Sequence, residues 1–222
     1  MTPRRPNTPT LTREQIVSAA MSIVDREGID ALSMRGLASE LGVGTMSLYY
    51  HVPDKSALYD LILDAVMSEA DLSGDDPSLP YEERVVRTAY ALRAALLAHP
   101  NAAVITMSRS LRTPAQLGPV EAMLGMLYEA GLSATDAMQT VNVIGQFVFG
   151  TSMAYASHLS DGQFHDFAAE NDHDFSALAP EEFPNLGRAI TEAEPAGWDA
   201  DFEAGLRVLV RGLVIDRAKP KA

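Results

Sequence analysis

The sequence predicts an all-α fold. Apolar residues recur every three or four positions in segment after segment, which is the spacing of one buried helical face. Ser, Thr and Asp stand ahead of these segments and Gly or Pro behind them, where helices start and stop. No stretch alternates apolar and polar residues for long enough to make a strand, and no internal repeat or low-complexity tract breaks the pattern.

Residues 1–10, rich in Pro, Thr and Arg, read as a flexible arm, either inert or one whose Arg4 and Arg5 touch phosphate. Thr12 and Gln15 make a capping-box pattern, and Ile16, Ala19, Ala20, Ile23 and Val24 share one face of a helix that Gly28 stops. Ser33 caps a second helix, whose Met34, Leu37, Ala38 and Leu41 face one way, and Gly42 takes the left-handed turn at its end. Thr45 is expected to cap a third helix, with Leu48 pointing back to the second and Val52-Pro53 ending it. Asp54 caps a long helix to about residue 70, and the acidic, Pro- and Gly-bearing stretch 71–80 is a loop.

Further helices are expected over 81–98, 101–108 and 120–130, with 109–116 as a loop. Ser133 or Thr135 caps a helix reaching about 159 that is apolar almost all round, so it must be buried on more than one side. Residues 160–180 are acidic and irregular, and a last amphipathic helix spans about 199–217. Its Gly205 and Gly212 would let another helix come close.

The chain has 222 residues and no cysteine, which excludes disulfides and thiolate metal sites and suits a reducing cytoplasm. No apolar run approaches the roughly 20 residues that span a bilayer, so no membrane partner is expected. The basic N-terminus lacks the apolar segment of a secretory signal. Net charge is −13, yet residues 1–56 carry six basic and six acidic side chains, so the whole excess lies in the remainder. A neutral head on an acidic body fits a selective DNA binder and disfavours a general nucleic-acid coat.

The densest motif is SMRGLASELGVGTMSLYYHVPDK, residues 33–55. Helix, glycine turn and helix make a helix-turn-helix, whose second helix enters the major groove. That helix offers Thr45, Met46, Ser47, Tyr49 and Tyr50 to base edges, thymine methyls and phosphates, with Tyr50 equally suited to a core position. Arg35 and Lys55 suit phosphates, with Ser33 and Tyr49 hydrogen-bonding beside them. The LA-x-x-LGV core, the LYYH segment ending in His51, and the following K-x-x-L together resemble the DNA-binding signature of the TetR family.

That resemblance, strongest over residues 10–70, implies a DNA-binding domain over 1–56 and an effector-binding and dimerisation domain over 57–222. It implies a homodimeric, ligand-responsive regulator, most simply a repressor, bound to palindromic double-stranded operator DNA. A small molecule would move the helix that runs from Asp54 to about residue 70, which by the resemblance links the two domains, and so spread the two heads away from successive major grooves. The alternatives are an activator, or a helical carrier or enzyme with a vestigial head. The helices over 135–159 and 199–217 carry more apolar surface than one subunit covers, so they are expected to pair across a two-fold axis, with Ile144 and Leu206 central.

The candidate effector residues are Met67, Leu92, His99, Met107, Arg109, Met123 and Phe147. The tetracycline repressor holds its drug through magnesium with histidine and acidic ligands; the corresponding positions here fall near Ile105 and Asp71. The resemblance therefore implies a largely apolar effector bound without metal, and no cofactor. His158, His165 and His173 follow no metal-ligand spacing, and no nucleophile motif, G-x-G-x-x-G or Walker loop is present, so an enzyme is not expected.

Overall fold

The computed structural model describes residues 11–161, 182–192 and 197–215, and every regular element among them is helical. In order these are α1 (Arg13–Glu27), α2 (Met34–Glu40), α3 (Thr45–His51), α4 (Lys55–Ser68), α5 (Tyr81–Ala98), α6 (Pro100–Ser108), α7 (Pro114–Glu129), α8 (Ala134–Asp161), α9 (Pro184–Glu192) and α10 (Trp198–Val210). A 3-10 turn at Ile29–Ala31 follows α1, and α10 runs on into a π-helical turn at Arg211–Ile215. The arm with Arg4 and Arg5, the acidic segment with His165 and His173, and the side chains of Met107 and His158 lie outside the described residues.

The described residues fall into two compact units. The first combines those of Met1–Ala70 with Ala94–Gly118; the second combines Asp71–Arg93 with those of Pro119–Ala222. The divisions therefore fall within α5 and α7.

In the first unit α1 packs on α2, α4 and α6. Its Ile16, Ala20, Ile23 and Val24 are buried with Leu32, Leu37, Leu48, Leu58, Ile62 and Val66. The caps do what their residues suggest. Thr12 and Gln15 close a reciprocal capping box, Ser33 Oγ accepts from the Gly36 amide at 3.0 Å, and Asp54 accepts from the Ala57 amide at 2.8 Å. Gly42 has φ +64°, and the Val43 amide donates to the Ala38 carbonyl at 2.9 Å, closing α2 in a left-handed turn.

In the second unit α8 packs on α10. Ala137, Val141, Ile144, Val148, Ser152 and Ala156 form the buried stripe of α8, opposite Phe202, Leu206 and Val210. Phe147 stacks on Phe202 with centroids 5.5 Å apart, and Tyr90 meets Phe202 edge-on at 5.1 Å. A Cβ on Gly205 would stand 2.7 Å from Phe147 Cζ, so the glycine makes room for that ring.

Several expectations are corrected. Thr45 does not cap α3: Gly44 is the N-cap, its extended backbone accepting from the Ser47 and Leu48 amides through its carbonyl, with no side-chain cap. The loop after α6 is shorter than expected, because α7 already begins at Pro114. A proline suits a first turn, where its missing N–H has no partner to lose, and Thr113 Oγ1 accepts from the Gln116 amide at 3.2 Å. Pro119 is then carried inside the helix. Ser133, not Thr135, caps α8, accepting from the Asp136 amide and donating to its carboxylate at 2.6 Å. The α9 helix is an element that the expected helices leave out, although its Leu186, Ala189 and Ile190 share one helical face. Among the described residues nothing lies within 4 Å of where a Cβ on Gly212 would stand, so of these two glycines it is Gly205 that serves a close approach there.

Candidate nucleic-acid interface and effector site

The reader is built outward from Leu48. This side chain is fully buried and fixes which way α3 faces. At 100° per residue, positions two before and two after Leu48 lie almost opposite it. Met46 and Tyr50 occupy those positions and are 80% and 87% exposed. They are four residues apart, so they stand one above the other on the outer face. Tyr49 is exposed to 42%, Ser47 is exposed, and Thr45 is half-buried at the first turn with its hydroxyl unused by capping. Neither tyrosine is a core residue. Tyr50 meets the ring of His51 edge-on at 5.3 Å.

The flanking polar groups lie at helix starts. Ser33 is exposed, and while its oxygen caps α2 its hydroxyl hydrogen remains able to donate. Arg35 is exposed in the first turn of α2. Lys55 is the first residue of α4, its ammonium 5.3 Å from the Tyr59 ring centroid. Lys55 is half-buried, and its ammonium remains available for a cation–π contact with that ring.

Behind the reader, polar pairs tie α4 and α6 to the head. His99, ahead of α6, places Nδ1 at 2.8 Å from Asp25 at the end of α1 and Nε2 at 3.1 Å from Glu69 after α4. Asn101 donates to the Val24 and Asp25 carbonyls, both at 3.2 Å. Arg109 pairs with Asp60 at 2.7 Å and donates to Ser56 at 2.9 Å. Thr113 and buried Gln116 both donate to Asp64, at 2.5 and 2.6 Å. Sequence reading missed this set, since partners 30 to 77 residues apart leave no local pattern. It also placed His99 and Arg109 in the effector site; here their polar groups are engaged by helix partners. Met67 lies in this same unit and is buried.

Leu92, Met123 and Phe147 belong to the second unit; Leu92 and Met123 are buried and Phe147 is half-buried. Next to Phe147 and Phe202 lies Arg93, almost fully buried. Its guanidinium stands 4.5 Å from the Phe202 ring and 5.5 Å from the Tyr155 ring, and pairs with Asp199 at 2.7 Å. Aromatic faces stabilise such a desolvated cation. Arg84, also buried, grips Asp75 of the acidic loop with two hydrogen bonds of 2.7 Å and reaches Glu129 at the end of α7. Hydrogen bonds to Asp75 and then Glu129 raise the Arg84 pKa, and the same bond from Arg84 lowers that of Asp75. Ile105, where the resemblance would put a metal-binding histidine, is buried, and Asp71 is exposed, accepting from Ser73. No described helix is long and apolar enough to cross a membrane.

Comparison with known proteins agrees with this layout. Residues 16–62 match the bacterial regulatory proteins of the tetR family, and residues 74–216 match the tetracyclin repressor-like C-terminal domain. An HTH-type transcriptional regulator of Saccharopolyspora erythraea is 34% identical over 212 residues, covering 92% of this chain and 85% of that protein. The class A tetracycline repressor from transposon 1721 of Escherichia coli is 33% identical over 218 residues, covering 96% and 92%. The crystal structure of the Streptomyces coelicolor TetR family protein ActR in complex with actinorhodin aligns with a TM-score of 0.83 at 31% identity, over 96% of this chain and 99% of that one. With both parts of the chain matched in order, and with relatives aligned over nearly their whole length, this protein belongs to the TetR family of ligand-responsive, DNA-binding transcriptional regulators.

Proposed function

We propose that the chain acts as a cytoplasmic homodimeric repressor that leaves a palindromic operator when a small apolar molecule binds. The reader face carries this reading: large side chains at Met46 and Tyr50 stand in solvent on a helix whose only buried residue is Leu48. A soluble surface rarely spends two such side chains on one helical turn without a partner. Ser33, Arg35, Tyr49, His51 and Lys55 would hold phosphates and sugar around them, while Thr45, Met46, Ser47 and Tyr50 meet bases. The test is a mobility shift with DNA upstream of the protein's own gene. A specific complex supports the reading, and indifference to sequence at physiological salt sinks it.

We assign the effector to the apolar surroundings of Leu92, Met123 and Phe147 in the second unit, and give His99 and Arg109 to fastening helices. Support comes from ActR, whose structure was solved with actinorhodin, and from the apolar Ile105 where a metal-binding histidine would stand. For release, the ligand must bind the DNA-incompetent arrangement more tightly than the competent one. Calorimetry with tetracycline, with and without magnesium, checks the metal-free reading, which tight magnesium-dependent binding overturns. No catalytic step is assigned to the chain. Reporter expression with and without the gene separates a repressor from an activator.

A further inference from the structure

We propose that Met46 reads the 5-methyl groups of thymine, so that part of the operator's identity rests on methyl contacts. The inference rests on the DNA-binding reading above and names the chemistry of the bases it recognises. It starts from what α3 lacks. The helix TMSLYYH carries no Arg or Lys, the residues that grip guanine O6 and N7 in pairs, and no Asn or Gln, which do the same for adenine. Its hydroxyls can each make single hydrogen bonds but fit more than one base.

Two large side chains stand on the face opposite Leu48, the Met46 thioether chain and the Tyr50 ring. Met46 is the second residue of α3, in the turn that reaches deepest when a recognition helix enters a major groove. Its thioether has no partner in the subunit's core, being 80% exposed. In the major groove the one apolar group on any base pair is the thymine methyl. A flexible, polarisable side chain covers such a methyl without demanding a fixed angle. Tyr50, one turn further on, closes the same face and shields the contact from water.

The test uses the full-length protein and a duplex selected by it from a random library, remade with deoxyuridine for thymine at one symmetric pair of positions at a time. Uracil keeps every hydrogen bond of thymine and lacks only the methyl. Burying one methyl is worth about 4-fold in affinity, so loss from both half-sites should weaken binding about 15-fold at one or two pairs of positions and leave the others unchanged. Met46→Ala should bind thymine and uracil duplexes within about 2-fold of each other, with unchanged circular dichroism, as expected for an exposed side chain. If the wild type ignores the exchange at every position while still binding its selected duplex, the methyl inference falls and the DNA-binding reading stands. If Met46→Ala keeps the discrimination, the assignment to Met46 falls. If no duplex is selected at all, both fall.

Discussion

Single side chains on α3 divide into those that hold the helix and those that face outward, and substitutions should separate accordingly. Leu48→Ala removes a fully buried anchor and should destabilise the protein by about 2–5 kcal/mol, read from denaturant unfolding. Lys55→Ala and Thr45→Ala should leave the fold intact, since neither makes a side-chain cap in α3 or α4. Lys55→Ala should weaken specific and random DNA alike, because a phosphate contact carries no sequence information. Thr45→Ala should instead change preference among operator variants, by about 1–3 kcal/mol at the affected base pair. Equal loss on specific and random DNA for Thr45→Ala would show that α3 is not read at its first turn.

At the scale of elements, the head is sparing in charge. Only Arg35 and Lys55 flank the reader, so a dimer would neutralise roughly four phosphates, and log affinity should fall against log salt with a slope of about −3.6. If Arg4 and Arg5 also lie on DNA, the slope steepens to about −7; a salt titration of the full chain and of a chain lacking residues 1–10 decides it. The acidic loop before α5 titrates differently. Bonding to Arg84 lowers the Asp75 pKa below its unfolded value, so its stabilisation is present at neutral pH and is lost as pH falls through the folded value. Asp75→Asn should therefore melt below the wild type at pH 7, and the gap should close as pH falls through the lowered pKa of Asp75. A gap that widens with acid would rule out this pair as the anchor.

For the whole molecule, assembly depends on which apolar residues a subunit leaves uncovered. Ile144 and Leu206 look central to a dimer by sequence, yet both are fully buried within the subunit, so a charge there would unfold it and say nothing of assembly. Val208, 69% exposed on α10, and Met138, 46% exposed on α8, are the informative positions. Val208→Glu with Met138→Glu should give a folded monomer in sedimentation, with native-like circular dichroism and operator binding lowered at least 100-fold, since one head alone forfeits the second half-site. A wild type that sediments as a monomer at micromolar concentration would remove the dimer.

Local chemistry made much of this protein legible in advance. The capping box at Thr12, the caps at Ser33 and Asp54, the left-handed turn at Gly42 and the short helix α3 depend on residues within a few positions of one another, and each stands where its side chains imply. Even locally, competition between neighbours could mislead: Gly44 displaced Thr45 as a cap because an extended glycine already presents its carbonyl to α3. Other features required the folded chain. His99 between Asp25 and Glu69, Gln116 on Asp64, and Phe147 over Gly205 join residues about 30 to 74 positions apart. Hydrophobic periodicity says that a face is buried but not against what, so Ile144 and Leu206 read the same whether they meet their own subunit or another. Only packing distinguishes them, because burial is a property of neighbours and not of the residue alone.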